Sequence, residues 1–201
     1  MFWDKMAGVY DLFENLYNGK VNEKLCREVA ELISADDEVL ECACGTGMLS
    51  EHIAPKCKSI VATDFSRKML ERAEKKCRQY TNASFEYADI LQLGYTDARF
   101  DKVIAANVIH LLDEPLKALT ELVRVCKPGG QIIIPTYINR EKSKGETSRI
   151  ATIIGKAGAD FKRQFTFESY KEFFGDAGYT QVTYKQIDGR MPCALAVITK
   201  Q

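Results

Sequence analysis

The sequence predicts an α/β fold, a mostly parallel β-sheet with helices on both faces. Three observations predict it. Short apolar segments alternate with amphipathic helical ones from Val39 onward. The first of them, Val39-Leu40-Glu41-Cys42, runs into a glycine loop, Ala43-Cys44-Gly45-Thr46-Gly47. The second, Val61-Ala62-Thr63, closes on an acidic residue, Asp64. Strands that alternate with helices build parallel sheets covered on both sides. A tight loop after one strand, with a carboxylate at the end of the next, is an arrangement that holds a nucleoside.

Each element has a local cause. Strands are expected near 37–42, 59–64, 84–88, 100–106, 130–136, 180–186 and 193–199. Helices are expected near 22–33, 47–54, 66–79, 115–126 and 168–176, the first from the spacing of Leu25, Val29 and Leu32. Ser66 is placed to cap the helix carrying Met69, Leu70 and Ala73. Asp113 is placed to cap the next, whose first turn holds Pro115, where a missing N–H costs nothing. Lys127-Pro128-Gly129-Gly130 reads as the stop and turn after it. Gly178 ends the last helix, and Asp188-Gly189-Arg190 joins the final two strands as a hairpin, so an antiparallel pairing completes the sheet.

The whole chain, 1–201, reads as one domain, long enough to bury a sizeable core. Two segments lie outside the alternation. Residues 1–20 are rich in apolar and aromatic side chains and read as a helical segment lying over the rest. Residues 138–167 read either as a surface excursion or as a small helical cap, a cap insertion over the carboxyl end of the sheet, where crossover loops build ligand sites. Ile150, Ile153, Ile154, Phe161, Phe165 and Phe167 either line a pocket there or pack the cap.

Composition narrows the partners. Lys plus Arg equals Asp plus Glu at 28 each, so no global field draws the chain to nucleic acid or to an anionic membrane. No signal peptide or spanning segment is visible, and seven cysteines without a disulfide or zinc spacing suit a reducing cytoplasm. The expectation is a cytoplasmic monomer or homodimer without stable membrane insertion and without a metal.

Several residues carry chemistry. Gly45 and Gly47 let the chain turn tightly with N–H groups facing a ligand. The full G-x-G-x-x-G of a pyrophosphate loop is missing, since Met48, Leu49 and Ser50 follow Gly47. Asp64 can accept from both hydroxyls of a ribose, or be an ordinary turn residue. Such bonds to a charge are worth roughly 1.5–3 kcal/mol. Phe65 can flank an adenine or pack as a core aromatic. Asp89 can accept from an adenine amino group or serve as a cap. Glu41 can balance a cationic centre. Asn107 and His110 follow the strand Val103-Ile104-Ala105-Ala106, and His110 is either a base or a packing residue.

In these segments the chain resembles the class I S-adenosylmethionine-dependent methyltransferases, especially the small-molecule branch that includes the quinone-biosynthesis C-methyltransferases. Glu41-Cys42-Ala43-Cys44-Gly45-Thr46-Gly47 resembles the first family motif and Thr63-Asp64-Phe65-Ser66, with Met69, Leu70 and Ala73, the second. Ala88-Asp89-Ile90, Phe100–Asn107 and Leu122–Gly130 are similar to the adenine-site segment, the strand-four motif and the turn before strand five. The resemblance implies a Rossmann-like, seven-stranded sheet with an antiparallel last strand. It implies S-adenosyl-L-methionine as cofactor and S-adenosyl-L-homocysteine as product. Glu41 then lies near the amino-acid part of the cofactor, Asp64 on its ribose, Asp89 and Ile90 by its adenine with Phe65 and Met69, and Asn107 near the methyl donor. Tyr10 and Tyr17 become walls of the pocket or hold the carboxylate. The family usually has Gly where this chain has Ala43, at a cost of about 1 kcal/mol if the position needs positive φ.

The expected function is in-line transfer of a methyl group to a small, partly apolar acceptor, with orientation supplying several of the roughly 7–11 kcal/mol available to well-held reactants. Nucleic acid is disfavoured as acceptor, because Asn107-Val108-Ile109-His110 stands where amino-methylating nucleic-acid enzymes carry an NPPY-like motif. Two other classes stay open: a protein of the same fold that binds the cofactor without methyl transfer, and an NAD-dependent oxidoreductase.

Overall fold

A computed structural model describes residues 4, 10–139 and 162–201, with the backbone alone for 10–17. Seven strands form one sheet: β1 (Glu38–Cys42), β2 (Ser59–Asp64), β3 (Ala83–Tyr87), β4 (Phe100–Ala105), β5 (Cys126–Tyr137), β6 (Val182–Ile187) and β7 (Cys193–Thr199). Their spatial order is β3-β2-β1-β4-β5-β7-β6. The pairs from β3 through β5 are parallel, and β7 runs antiparallel to both β5 and β6. The α/β expectation and the reversed last strand are therefore met.

The side-chain alternation of the central strands shows why both faces must be covered. Val103 and Ala105 of β4, with Ile132 and Ile134 of β5, enter one apolar core, while Ile104 and Ile133 between them enter the other. The first core receives α4 (Pro115–Val125) through Ala118, Leu119 and Leu122, and α5 (Phe167–Asp176) through Tyr170 and Phe174. The second receives α1 (Tyr10–Ala30) through Val21, Leu25 and Val29, and α2 (Met48–Ile53) through Leu49 and Ile53. Helix α3 (Arg67–Cys77) extends that side with a smaller cluster, Leu70 and Ala73 against Ala62 of β2.

The caps follow the local chemistry with one exception. Ser66 Oγ accepts from Met69 N at 3.3 Å, as its position before α3 requires. Thr166 and Ser169 form a reciprocal capping box on α5, and α5 ends with Tyr179 N on Phe174 O and Gly178 N on Gly175 O. Asp113, however, does not cap α4. Pro115 takes the first helical position, so Glu114 becomes the N-cap without a side-chain bond, and Asp113 pairs with Lys162 at 3.1 Å. The Lys127–Gly130 stop is also only half right. Strand β5 starts at Cys126, directly after α4, but its ladder with β4 jumps from Phe100↔Cys126 to Lys102↔Gln131, and residues 127–130 fall in the gap.

Helix α1 is longer than its spacing predicts, and it is kinked at Asn18 (φ −139°). Asn18 Nδ2 donates to Met191 O at 2.9 Å, which ties the kink to the β6–β7 turn. The rest of the 1–20 segment, apart from Asp4, lies outside the described residues, as do residues 140–161 of the 138–167 insertion. The flanks of that insertion are placed: Asn139 N donates to Phe165 O (2.7 Å) and Arg163 N to His110 O (3.1 Å). It therefore leaves and rejoins the fold at the carboxyl end of β4 and β5.

Candidate functional site

Parallel strands end on one side of the sheet, and the predicted residues gather there because each follows a strand. Ala43 comes one residue after β1 and turns the chain with φ 54°; Gly45 (φ 55°) and Gly47 (φ 81°) repeat the left-handed turn. Three left-handed residues in five bend the loop sharply back toward β2. Cys44 N donates to Thr63 O at 2.9 Å, and Gly45 N donates to Asp64 Oδ2 at 2.9 Å. The other carboxylate oxygen, Oδ1, accepts from Ser66 N at 2.8 Å. Asp64 is thus fixed between the glycine loop and the start of α3, with the amide of Phe65 also bearing on its carboxylate. Burial raises its pKa, against the amide bonds that lower it.

Gly47 is required for a second reason. A Cβ there would stand 3.0 Å from both Cα and Cβ of Ala73, so the loop and α3 touch through backbone. Ala43 shows the cost that the sequence left conditional: its φ is positive, so a side chain occupies a left-handed position. Ala43→Gly is expected to raise stability by about 1 kcal/mol, read as an upward shift of Tm in a thermal melt.

Glu41 ends up buried at the end of β1. It is 2% exposed, and Ser50 Oγ of α2 donates to its Oε2 at 2.5 Å. Burial pushes its pKa from 4.5 up to about 8; the Ser50 bond opposes this and the charge of Asp64 adds to it. All seven cysteines are buried free thiols, and burial pushes Cys42 up to about 12. Those at the loop are therefore packing groups rather than nucleophiles.

Further along the edge, Phe65 is 46% exposed with its ring 5.2 Å from that of Tyr87. Asp89 follows β3, and its Oδ1 accepts from Leu91 N at 2.9 Å. Ile90 and Met69 are both buried, Met69 on the inner face of α3. Asn107 (φ 52°) stitches β4 to β5: its N–H donates to Pro135 O at 2.8 Å, and its Oδ1 accepts from Tyr137 N at 3.0 Å. Its side-chain oxygen is thereby committed to backbone, leaving the amide nitrogen for a ligand.

His110 lies on a short 3₁₀ turn, Ile109–Leu111, and is 4% exposed. Burial alone draws its pKa from 6.5 down to about 4. A ring drawn down in this way is neutral at pH 7. Tyr10 and Tyr17 lie on α1, but their side chains are outside the described residues.

Sequence reasoning missed Ser50, Tyr137 and Asn22. Tyr137 Oη, at the end of β5, donates to Asn22 Oδ1 of α1 at 2.6 Å. No spacing joins residues 115 positions apart. The Glu41–Ser50 pair arises only because the loop folds α2 back along β1. A separate open groove of about 480 Å³, between the start of α4 and the end of α5, contains none of the predicted residues.

Comparison with known proteins agrees with this geometry. The methyltransferase domain family matches residues 40–134, which spans the loop, Asp64, Asp89, Asn107 and His110. The demethylmenaquinone methyltransferase of Clavibacter sepedonicus is 34% identical over 135 residues, covering 66% of this chain and 55% of the relative. The phosphatidylethanolamine N-methyltransferase of Cereibacter sphaeroides is 32% identical over 128 residues, covering 62% of this chain and 63% of the relative. The chain thus spans 55 to 63% of the length of these two relatives. Among solved structures, the N-methyltransferase NodS of Bradyrhizobium japonicum in complex with S-adenosyl-L-homocysteine superimposes with a TM-score of 0.69 at 19% identity, covering 92% of this chain and 87% of that one. Together these matches support a class I S-adenosylmethionine-dependent methyltransferase.

Proposed function

We propose that the protein binds S-adenosyl-L-methionine at the glycine loop and transfers its methyl group to a small, partly apolar acceptor. The observation that carries this reading is the acidic setting of the loop. Gly45 is bonded to Asp64, Glu41 lies buried at the end of β1, and Asp89 follows the adjacent strand. That set of acceptors suits two ribose hydroxyls, an adenine amino group and a positively charged ligand. The loop lacks the third glycine that a pyrophosphate needs for close backbone approach. The oxidoreductase reading is therefore not favoured.

The cofactor, when bound, supplies a methyl group already activated by a sulfonium. The residues of the chain hold and orient. Asp64 accepts from the ribose hydroxyls, in an orientation set by the amides of Gly45 and Ser66. Asp89 and the exposed ring of Phe65 bound the adenine. Asn107 offers its amide nitrogen near the reacting end, while Tyr137 and Asn22 hold α1 against the end of β5. Catalysis then rests on alignment of the acceptor, with His110 neutral at pH 7.

The acceptor class follows the relatives, whose names specify demethylmenaquinone and phosphatidylethanolamine, both apolar molecules with a polar head. A reduced demethylnaphthoquinone and phosphatidylethanolamine are the acceptors to try first, with release of S-adenosyl-L-homocysteine as readout. Asp64→Ala is expected to weaken binding of S-adenosyl-L-homocysteine at least tenfold in calorimetric titration, while leaving the protein folded. Unchanged affinity would remove Asp64 from the cofactor site.

A further inference from the structure

A net charge of zero conceals one strongly basic face. Helix α3 buries Met69, Leu70, Ala73 and Cys77. At about 100° per residue, Lys68, Arg72 and Lys75 then look outward, and all three are exposed. From Arg67 to Arg78 the chain holds six basic residues and only two acidic ones, Glu71 and Glu74. At the N-terminal end of this helix stand Phe65 and Tyr87, 46% and 45% exposed, two of the three large apolar side chains that are exposed among the described residues. The guanidinium of Arg67 lies 4.9 Å from the centroid of the Tyr87 ring and joins the basic face to the aromatic pair.

We propose that the outer face of α3, continued by Tyr87, docks on an anionic phospholipid bilayer. Clustered Lys and Arg are attracted to the negative surface of such a membrane, and aromatic rings settle at its headgroup level. Single-stranded nucleic acid is the other polyanion to consider. It would need free ring faces on which to stack bases, whereas Tyr87 already carries Phe65 and Arg67 against its ring. Association is at the surface, since no helix among the described residues is long and apolar enough to cross a membrane.

The location gives the surface a use, which rests on the methyltransferase reading. Phe65 follows Asp64, and Tyr87 ends β3 at the same edge as the glycine loop. Docking there brings the carboxyl edge of the sheet to the bilayer, so an acceptor dissolved in lipid reaches it with little exposure to water.

The test is co-sedimentation of the full chain with phosphatidylcholine vesicles, with and without phosphatidylglycerol, at low and high salt. Binding is expected only to the anionic vesicles and is expected to fade at high salt. Lys68→Gln/Lys75→Gln is expected to lower the partition coefficient about thirtyfold at low salt, at roughly fivefold per charge. Tyr87→Ala is expected to weaken it further. The matched variant on the opposite face, Lys117→Gln/Lys171→Gln, is expected to bind like the parent. Equal binding to neutral vesicles, equal binding by both double variants, or preference for a single-stranded oligonucleotide over vesicles would overturn the proposal. Titration with S-adenosyl-L-homocysteine is run alongside on every variant. Nucleoside binding without vesicle binding ends this proposal and leaves the function standing; the reverse ends the function and leaves the surface.

Discussion

Gly47→Ala is expected to lower stability by about 2–4 kcal/mol. Two costs combine: a left-handed φ imposed on a residue with a side chain, and a Cβ driven against the backbone and side chain of Ala73. Nothing flexible can yield, because the obstructing atoms include the Cα of a buried helical residue. For a chain of this length the shift corresponds to a fall in Tm of roughly 5–15 °C. Gly45→Ala is the internal control. Its φ is also positive, but a Cβ there has nothing within 4 Å, so only the conformational cost of about 1 kcal/mol remains. Equal losses at the two positions would mean that contact between the loop and α3 is not what fixes Gly47.

The second large effect belongs to Glu41. Its carboxyl has a pKa near 4.5 when unfolded and about 8 in the fold, so the folded state holds the extra proton across that window. The contribution is fully present below pH 4.5 and is lost as pH rises toward 8. Stability without ligand is therefore expected to decline over this range by an amount on the order of a few kcal/mol, and Glu41→Gln is expected to flatten the decline. Denaturant melts at pH 5, 6.5 and 8 read it directly. A cation bound at the loop would favour the ionised form, so binding of the cationic methyl donor near pH 7 should release a proton from the parent protein and not from the Gln variant. Titration in two buffers of different ionisation heat separates these.

Much of the fold was legible because burial on both faces of the sheet leaves a strong signature. The runs 103–106 and 132–134 are wholly apolar, only Glu41 interrupts 39–42, and their neighbours carry helical spacing. The helix start at Ser66 and the final hairpin were legible for local reasons, a hydroxyl before an amphipathic run and a glycine between two apolar strands. The misplaced cap at Asp113 shows where local rules stop. Pro115 determines the first turn more firmly than a carboxylate two residues earlier, and Lys162, distant in sequence, takes that carboxylate. The early start of β5 was hidden because Pro128 and two glycines mark a turn. The structure accommodates them where the ladder to β4 lapses, with Gly129 N bonded to Lys200 O instead.

The site was legible as a set of residues and less so as an arrangement. Gly45, Gly47 and Asp64 meet because two adjacent parallel strands end together, a consequence of topology that the alternation already implies. The burial of Glu41, the bond from Ser50 and the commitment of the Asn107 oxygen to β5 are tertiary facts without a sequence period. His110 follows the right strand, yet its depth, which decides its acidity, depends on how Arg163 and its neighbours return over the turn.

Calorimetric titration of the purified chain with S-adenosyl-L-methionine, S-adenosyl-L-homocysteine and NAD in parallel tests the central claim most directly. Saturable binding of both sulfur nucleosides, with none of NAD, is the predicted result. Binding of NAD alone, or of none of the three, would contradict the assignment of the glycine loop, Asp64 and Asp89 to a methyl-donor site.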